Sequence, residues 1–196
     1  MEYRDIKFNK TVKSLYNAII KLVEEYHVKD ITIEMILNEA EVAKQTFYNY
    51  FEDKYALINY VHYHDTSHIY NEMAKSKEVH LQKCAEMLGA LQSKAGYYKK
   101  ILEYEGQNSF ADYYWQFGYN YWKNSLKLYY GEDFYDENLD HTIYIFNRGC
   151  GAGTIEWLRN GAVGLTPQNK AEIAYNTFPD ALKKMIDDPD KKLYIV

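Results

Sequence analysis

The chain contains no proline between residues 1 and 166, and its three prolines stand at positions 167, 179 and 189. Proline removes a backbone donor and clashes with the preceding helical turn, so a long proline-free stretch favours long helices. No segment shows sustained apolar–polar alternation bounded by turn residues, which is the pattern of a half-buried strand. We therefore predict an all-α fold.

The length of 196 residues suits one good core, or a small module beside a larger one. Hydrophobic residues make up 47% and charged residues 26%, as in an ordinary globular protein. No apolar run is long enough for a bilayer span or a signal peptide, so we expect a cytoplasmic protein without a membrane partner. Cys84 and Cys150 are far apart in sequence and fit two reduced thiols better than a disulfide framework.

The first third of the chain has the periodicity of several short helices. Apolar residues that recur every three or four positions predict a helix over 9–26. Thr32 offers a hydroxyl cap for a second helix. A short third helix over 44–50 buries Phe47, and Asp53 can cap a fourth helix.

The pattern of the remaining residues predicts further helices separated by glycine-containing turns. The Thr166-Pro167 pair is typical of a helix start, with a threonine cap followed by a first-turn proline. The expected spans are 54–75, 79–94, 97–104, 107–130, 137–160 and 168–187. We divide the chain into an N-terminal domain over 1–54 and a C-terminal domain over 55–196.

Two short helices joined by a tight turn and braced by a longer one form a helix-turn-helix unit. The second helix of such a unit lies in the DNA major groove. In the segment 43–57 we expect Phe47 and Phe51 to face the protein, which leaves a polar side free. Lysine and glutamine can read base edges, and tyrosine and threonine hydroxyls can bind phosphate.

The span from Thr11 to Leu57 resembles the DNA-binding domain of TetR-type repressors. The residues that carry the resemblance are Ala18, Ile19, Ile31-Thr32-Ile33, the string from Ala40 to Phe51, Asp53-Lys54 and Leu57. It implies a homodimer that reads a palindromic double-stranded operator, with recognition helices roughly 34–36 Å apart. It also implies DNA contacts at Thr32, Lys44, Gln45, Thr46, Tyr48, Asn49, Tyr50 and Lys54.

Two positions depart from the family pattern. Glu41 stands where the family usually has glycine, at a cost of roughly 1 kcal/mol if the backbone there is left-handed. Ala43 stands where a serine or threonine usually caps the recognition helix, a cap worth about 1 kcal/mol. Residues 1–54 also hold eight Lys or Arg against ten Asp or Glu, a net of −2. We therefore expect modest DNA affinity with a steep salt dependence.

In TetR-like proteins the last long helices pair with their copies in a four-helix bundle. The resemblance thus assigns the helices over 137–160 and 168–187 to a dimer interface, and glycines one turn apart in the first of them suit close approach by a neighbour. The candidate contacts are Ile143, Phe146, Cys150, Trp157, Ile173, Phe178 and Leu182. Packing within one chain is the alternative. The stretch from Trp157 to Gly161 also resembles a TetR subgroup that includes dihydroxyacetone kinase operon activators.

The central helices are rich in aromatic residues, and no single helix face can bury all of them. The family's effector cavity lies among these helices, and aromatic walls suit a small apolar or aromatic effector. The candidate effector-binding residues are Tyr97, Tyr104, Tyr114, Phe117, Tyr121 and Trp122. A core that the aromatic side chains fill completely is the alternative.

His62, His64 and His68 lie close together in sequence, and the last two have a spacing that can hold a metal on one helix face. No second ligand cluster accompanies them, so we expect no metal and no other cofactor. No residue pattern indicates catalysis.

We therefore predict a non-enzymatic TetR-like regulator, a repressor under small-molecule control. Two alternatives stay open: a regulator controlled by a protein partner, and a helical ligand carrier or enzyme whose helix-turn-helix is structural.

Overall fold

The computed structural model describes residues 3–73, 77–188, 190, 193, 194 and 196. Within these residues the chain is helical, with short turns and no strand. The helices are α1 (Lys10–Glu25), α2 (Ile33–Ala40), α3 (Lys44–Tyr48), α4 (Lys54–Glu72), α5 (Lys77–Ser93), α6 (Ala95–Ile101), α7 (Phe110–Tyr130), α8 (Glu137–Arg159), α9 (Pro167–Asn176) and α10 (Asp180–Asp187). The predicted all-α class is confirmed.

The last predicted helix, over 168–187, is wrong as a single element. The chain leaves the helical path after Asn176 and resumes at Asp180, with Pro179 between the two helices. Pro179 lacks the N–H that a continuous helix would need, and its ring would clash with the preceding turn. The expected end of the fourth helix at 75 lies outside the described residues.

Side-chain caps begin the N-terminal helices. The side chain of Asn9 accepts from the Val12 N–H at 3.0 Å at the start of α1, and Asp53 accepts from the Ala56 N–H at 2.7 Å at the start of α4. Each cap satisfies one of the amides that the first helical turn leaves without a partner. These polar residues therefore fix where the elements start.

Helix α4 lies at the centre of the molecule. Its residues 57–62 are all buried, so nearly every side of the helix faces protein at this point. Helix α1 packs on α2, α4 and α6, and α5 packs on α4 and α9. The buried apolar side chains form one connected cluster that continues across residue 54, so the predicted domain boundary stays a prediction. No helix among the described residues has the length and apolar character of a bilayer span.

Candidate nucleic-acid interface and ligand cavity

Two phenylalanines anchor the short helix α3. Phe47 is fully buried and Phe51 nearly so, and their ring centroids lie 5.9 Å apart. Phe51 also packs edge-on against Tyr60 of α4 at 5.2 Å. The hydroxyl of Tyr50 accepts a hydrogen bond from the Asn9 side-chain amide at 3.0 Å, which ties the end of α3 to the start of α1. The inner side of α3 is therefore fixed from two directions.

The turn between α2 and α3 has the strain that the sequence suggested. Glu41 ends α2 in the left-handed region, at φ 54° and ψ 44°, where a β-carbon is crowded. Ala43 precedes α3 with extended backbone and makes no side-chain cap. Both departures from the family pattern therefore fall where they weaken the entry to α3.

The outer side of α3 carries polar side chains in solvent. Lys44, Gln45, Tyr48 and Asn49 are exposed, Tyr48 by 46%, whereas Thr46 and Tyr50 are half-buried. The amide of Gln45 donates to the side-chain oxygen of Asn49 at 3.3 Å, so the two amides lie together one turn apart. This surface, which we call the α3 outer face, consists of Lys44, Gln45, Tyr48 and Asn49. It brings together four of the eight predicted DNA contacts.

Thr32 lies at the start of α2, where its hydroxyl accepts from the Met35 N–H at 3.2 Å. This cap uses a lone pair of the oxygen, and the hydroxyl hydrogen stays available to an acceptor. The predicted phosphate contact of Thr32 is compatible with its capping role and stays a prediction.

The surroundings of Lys54 differ from the phosphate contact that the sequence predicts. Its ammonium donates to the backbone carbonyls of Val28, Lys29 and Ile31, at 2.7, 3.2 and 2.6 Å. Since an ammonium has three hydrogens, these carbonyls engage all of them and leave none for a phosphate. Burial also lowers the pKa of Lys54. In this structure Lys54 fastens the loop between α1 and α2 to the start of α4.

A cavity of about 580 Å³ opens among the C-terminal helices. Its walls come from α4, α5, α7, α8 and α9, and they carry many aromatic side chains, among them Tyr70, Tyr114, Trp115, Trp122, Phe146 and Phe178. Cys84 and Cys150 line it from α5 and α8, and burial raises the pKa of the Cys84 thiol to about 12. Its volume and apolar walls are those of a small-molecule site.

Only part of the predicted effector set lines this cavity. Tyr114 and Trp122 line it, whereas Tyr97, Tyr104, Phe117 and Tyr121 do not. The buried hydroxyl of Tyr97 donates to the Ile58 carbonyl at 3.2 Å, and Tyr104 stacks on Tyr55 at 5.0 Å. Phe117 and Tyr121 border a smaller depression of about 360 Å³ beside Tyr3 and Tyr194. Which aromatic rings face the cavity depends on how the helices dock, and the sequence carries no signal for this.

The predicted dimer contacts fall into buried, half-buried and exposed residues. Ile143 and Leu182 are fully buried within one chain, and Trp157 and Phe178 are only 6% exposed, so these four pack internally and cannot serve as contacts in this conformation. Phe146 and Cys150 are half-buried in the cavity wall. Of the predicted set, Ile173 is half-exposed and accessible to a second chain.

Some exposed apolar residues of α8 and α9 also line the cavity, among them Ile145 and Ile173. Ile145 is 60% exposed. At Gly149 and Gly153, no neighbouring atom of the described residues lies within 4 Å of the position that a β-carbon would take. Gly151 instead faces inward, where a β-carbon would lie 2.5 Å from Trp115 Cδ1. The spacing of Ile145, Gly149 and Gly153 by four residues is a sequence signal that could have identified this face of α8.

The three neighbouring histidines have separate surroundings. His62 is fully buried, and His64 stacks on Phe8 with ring centroids 3.8 Å apart, while His68 is exposed. The described part of the chain contains no group of three or more His, Cys, Asp or Glu side chains arranged to hold a metal ion.

No protein-family sequence model matches this chain, and no curated protein matches it in sequence. Its fold does match solved structures, and they define a class: the chain has the fold of TetR-family transcriptional regulators. One of these structures is the dihydroxyacetone kinase operon activator DhaS, with a TM-score of 0.59 at 16% identity, covering 91% of this chain and 98% of that one.

Two further structures share the fold. A TetR-family regulator from Streptomyces coelicolor has a TM-score of 0.52 at 12% identity, covering 84% of this chain and 79% of that one. A protein from Syntrophomonas wolfei assigned to the same family has a TM-score of 0.52 at 15% identity, covering 84% and 90%. At these identities the likeness concerns the fold alone.

Proposed function

We propose that this protein is a DNA-binding transcriptional regulator whose α3 outer face enters the major groove. The observation that carries the proposal is the division of α3 into an anchored aromatic side and a solvated polar side. Lys44 and Gln45 are at the start of the helix, the part that reaches base edges in helix-turn-helix proteins. Thr32, Thr46, Tyr48, Asn49 and Tyr50 supply further base or phosphate contacts. The DNA partner also supports a cytoplasmic location.

The test is a selection of duplexes from a random pool by the full-length protein, followed by affinity measurements on the selected site. Lys44→Ala and Tyr48→Ala should each weaken binding roughly 5- to 150-fold, which corresponds to a lost contact worth about 1–3 kcal/mol. Lys184→Ala, an exposed lysine on α10, should leave affinity unchanged. The proposal would be contradicted if no common site were selected, or if all variants bound the selected site with equal affinity.

The protein acts, in this proposal, as a homodimer on a palindromic operator. The exposed Ile145 and Ile173 and the open glycines of α8 support contact between copies at this face. Ile145→Glu should therefore shift the protein from dimer to monomer in sedimentation equilibrium. Leu128→Glu, at an equally exposed apolar residue on α7, should leave the dimer intact. A monomeric wild-type protein would contradict this part.

The cavity supports control by a small molecule rather than by a protein partner, because a fully packed core would have favoured the latter. We propose a repressor whose effector binds the cavity and favours a dimer geometry with lower operator affinity, which requires only different affinities for the two states. An effector that raises operator affinity would instead make the protein an activator, as the name of DhaS describes that protein.

A further inference from the structure

The charge of the cavity wall is unbalanced. Of the described residues that line it, Lys170 is the one lysine or arginine, and none is an aspartate or glutamate. The remainder of the wall consists of aromatic, aliphatic, thioether, thiol, hydroxyl and amide side chains and the buried imidazole of His80. A ligand in this space therefore meets a single positive charge inside a largely apolar enclosure.

The surroundings of Lys170 leave its ammonium incompletely satisfied. The side chain extends from α9, donates to the Gly153 carbonyl at 3.2 Å and lies 5.2 Å from the centre of the Trp157 ring. No carboxylate of the described residues forms an ion pair with it. Burial lowers the pKa of Lys170, because the charged form loses water, and an anion beside it would raise the pKa again.

A second donor lies in the same wall. The indole nitrogen of Trp115 is buried and has no hydrogen-bond acceptor among the described residues. The guanidinium of Arg148 stacks over the Trp115 ring at 4.2 Å, which adds a positive charge behind this wall. The Trp115 nitrogen exposes almost no surface, so Lys170 is the charged donor that a ligand in the cavity can reach.

The wall distinguishes between classes of ligand. A cation would gain from the aromatic faces but would meet Lys170 with no carboxylate to compensate it. A neutral ligand would remove more water from the ammonium without pairing it, and a bare inorganic anion would leave the apolar walls uncovered. An organic anion with an apolar body satisfies both parts of the wall, through a charge-assisted hydrogen bond and apolar burial.

We propose that the ligand of this cavity is an organic carboxylate with an aromatic or branched apolar body, bound with its carboxylate on Lys170. The proposal rests on the proposed effector function of the cavity and names the chemical class of the effector. Lys170 is then the specificity-determining residue, and the aromatic side chains hold the body of the ligand.

The experiment is calorimetric titration of the full-length protein with matched pairs of probes: naphthalene-2-carboxylate and its amide, and biphenyl-4-carboxylate and its amide. Each pair differs only in charge and donor pattern. The wild-type protein should bind at least one acid about tenfold or more tightly than its amide, as a charge-assisted hydrogen bond predicts. Lys170→Met should abolish that preference, and Lys184→Met on the neighbouring α10 should keep it.

Circular dichroism and melting curves establish that the variants fold, and Lys170→Gln serves as a second variant if Lys170→Met does not. Equal affinity for acid and amide, a preference that survives the loss of Lys170, or no acid binding at millimolar concentration would each overturn the proposal. Operator affinity is measured in parallel without and with the acid. Acid binding that leaves operator affinity unchanged would support the ligand class but remove the effector role. Intact operator binding without acid binding would overturn the ligand class and leave the regulator standing.

Discussion

Lys54 was predicted to contact DNA, but its ammonium instead binds backbone carbonyls of the protein itself. Its ammonium satisfies three carbonyls of the loop between α1 and α2. That loop precedes Thr32, the cap of α2, so Lys54 also holds the helix-turn-helix unit against the start of α4. In the proposed regulator, Lys54 would therefore contribute to DNA binding only indirectly.

Replacement of Lys54 tests this structural role. Lys54→Met keeps much of the side-chain volume and removes the donor, so the free energy of unfolding should fall by about 1–3 kcal/mol. Urea denaturation measures the change. Lys29→Met, at an exposed lysine of the same loop, should change stability by less than about 0.5 kcal/mol. Equal stabilities of the two variants would show that the carbonyl contacts contribute nothing.

The burial of His62 predicts how the stability of the protein depends on pH. It is fully buried in α4, with the rings of Phe110, Tyr113 and Phe117 5.4–5.6 Å away, and burial lowers its pKa to about 3. Because the unfolded pKa is about 6.5, the stability from neutral His62 is complete above that pH. It falls by up to about 1.4 kcal/mol per unit as pH drops towards 3.

Chemical denaturation between about pH 7 and pH 5, where histidine titrates in the unfolded chain, measures this slope. His62→Gln should flatten it by the equivalent of nearly one proton. His68→Gln, at an exposed position of the same helix, should keep the wild-type slope. A wild-type slope in His62→Gln would contradict the account of His62.

Among the helices of the helix-turn-helix unit, α3 has the weakest support from its own ends. It spans five residues, Ala43 gives it no side-chain cap, and the preceding turn holds Glu41 in a left-handed conformation. Its position depends on Phe47, Phe51 and the hydrogen bond between Asn9 and Tyr50. A helix held by packing rather than by its own ends responds readily to changes at those ends.

A cap at position 43 should therefore stabilise the protein. Ala43→Ser supplies a hydroxyl that can accept from an amide of the first turn of α3, which is worth about 1 kcal/mol. The melting temperature should rise, and operator affinity should rise or stay equal. Ala43→Val, at the same exposed position, offers no acceptor and should give no gain. Equal melting temperatures of Ala43→Ser and Ala43→Val would contradict the missing-cap account.

Helix positions were largely predictable because apolar periodicity, caps and turn glycines are local signals. The break between α9 and α10 was missed although Pro179 marks it in the sequence, because the amphipathic pattern continues across that residue. The inward side of α3 was predictable from Phe47 and Phe51. The cavity wall was not, because Cys84, Thr154 and Lys170 converge only through the docking of α5, α8 and α9. The burial of Ile143 and Leu182 has the same cause.

At the scale of the whole molecule, one polar network joins the helix-turn-helix unit to the two helices that extend to the cavity. Lys94, in the turn after α5, lies 2.5 Å from Asp65 of α4 and also donates to the hydroxyl of Tyr16 in α1. That hydroxyl donates to Asp65 at 2.7 Å. Further along α4, Tyr70 and Met73 line the cavity, as Cys84 does on α5. Through this network α1 is hydrogen-bonded to α4 and to the turn after α5, and both α4 and α5 also contribute residues to the cavity wall.

Loss of this network should weaken both stability and operator binding. For Asp65→Asn we expect a loss of about 2 kcal/mol, because breaking a fully buried pair costs roughly 3–5 kcal/mol and these groups keep some contact with water. Glu132→Gln, which breaks the exposed pair with Lys127, should cost less than about 1 kcal/mol. Chemical denaturation and operator titration measure the effects. Equal losses in both variants would remove the special role of Tyr16, Asp65 and Lys94.

A binding scan over every single base-pair substitution of the selected duplex tests whether DNA completes the α3 outer face. With wild-type protein we predict strong preferences at symmetry-related positions in two half-sites. Lys44→Ala and Gln45→Ala should each erase the preference at particular base pairs, at a cost of roughly 1–3 kcal/mol, and leave the other positions unchanged. Substitution profiles that are the same for wild-type protein and for both variants would contradict the proposal.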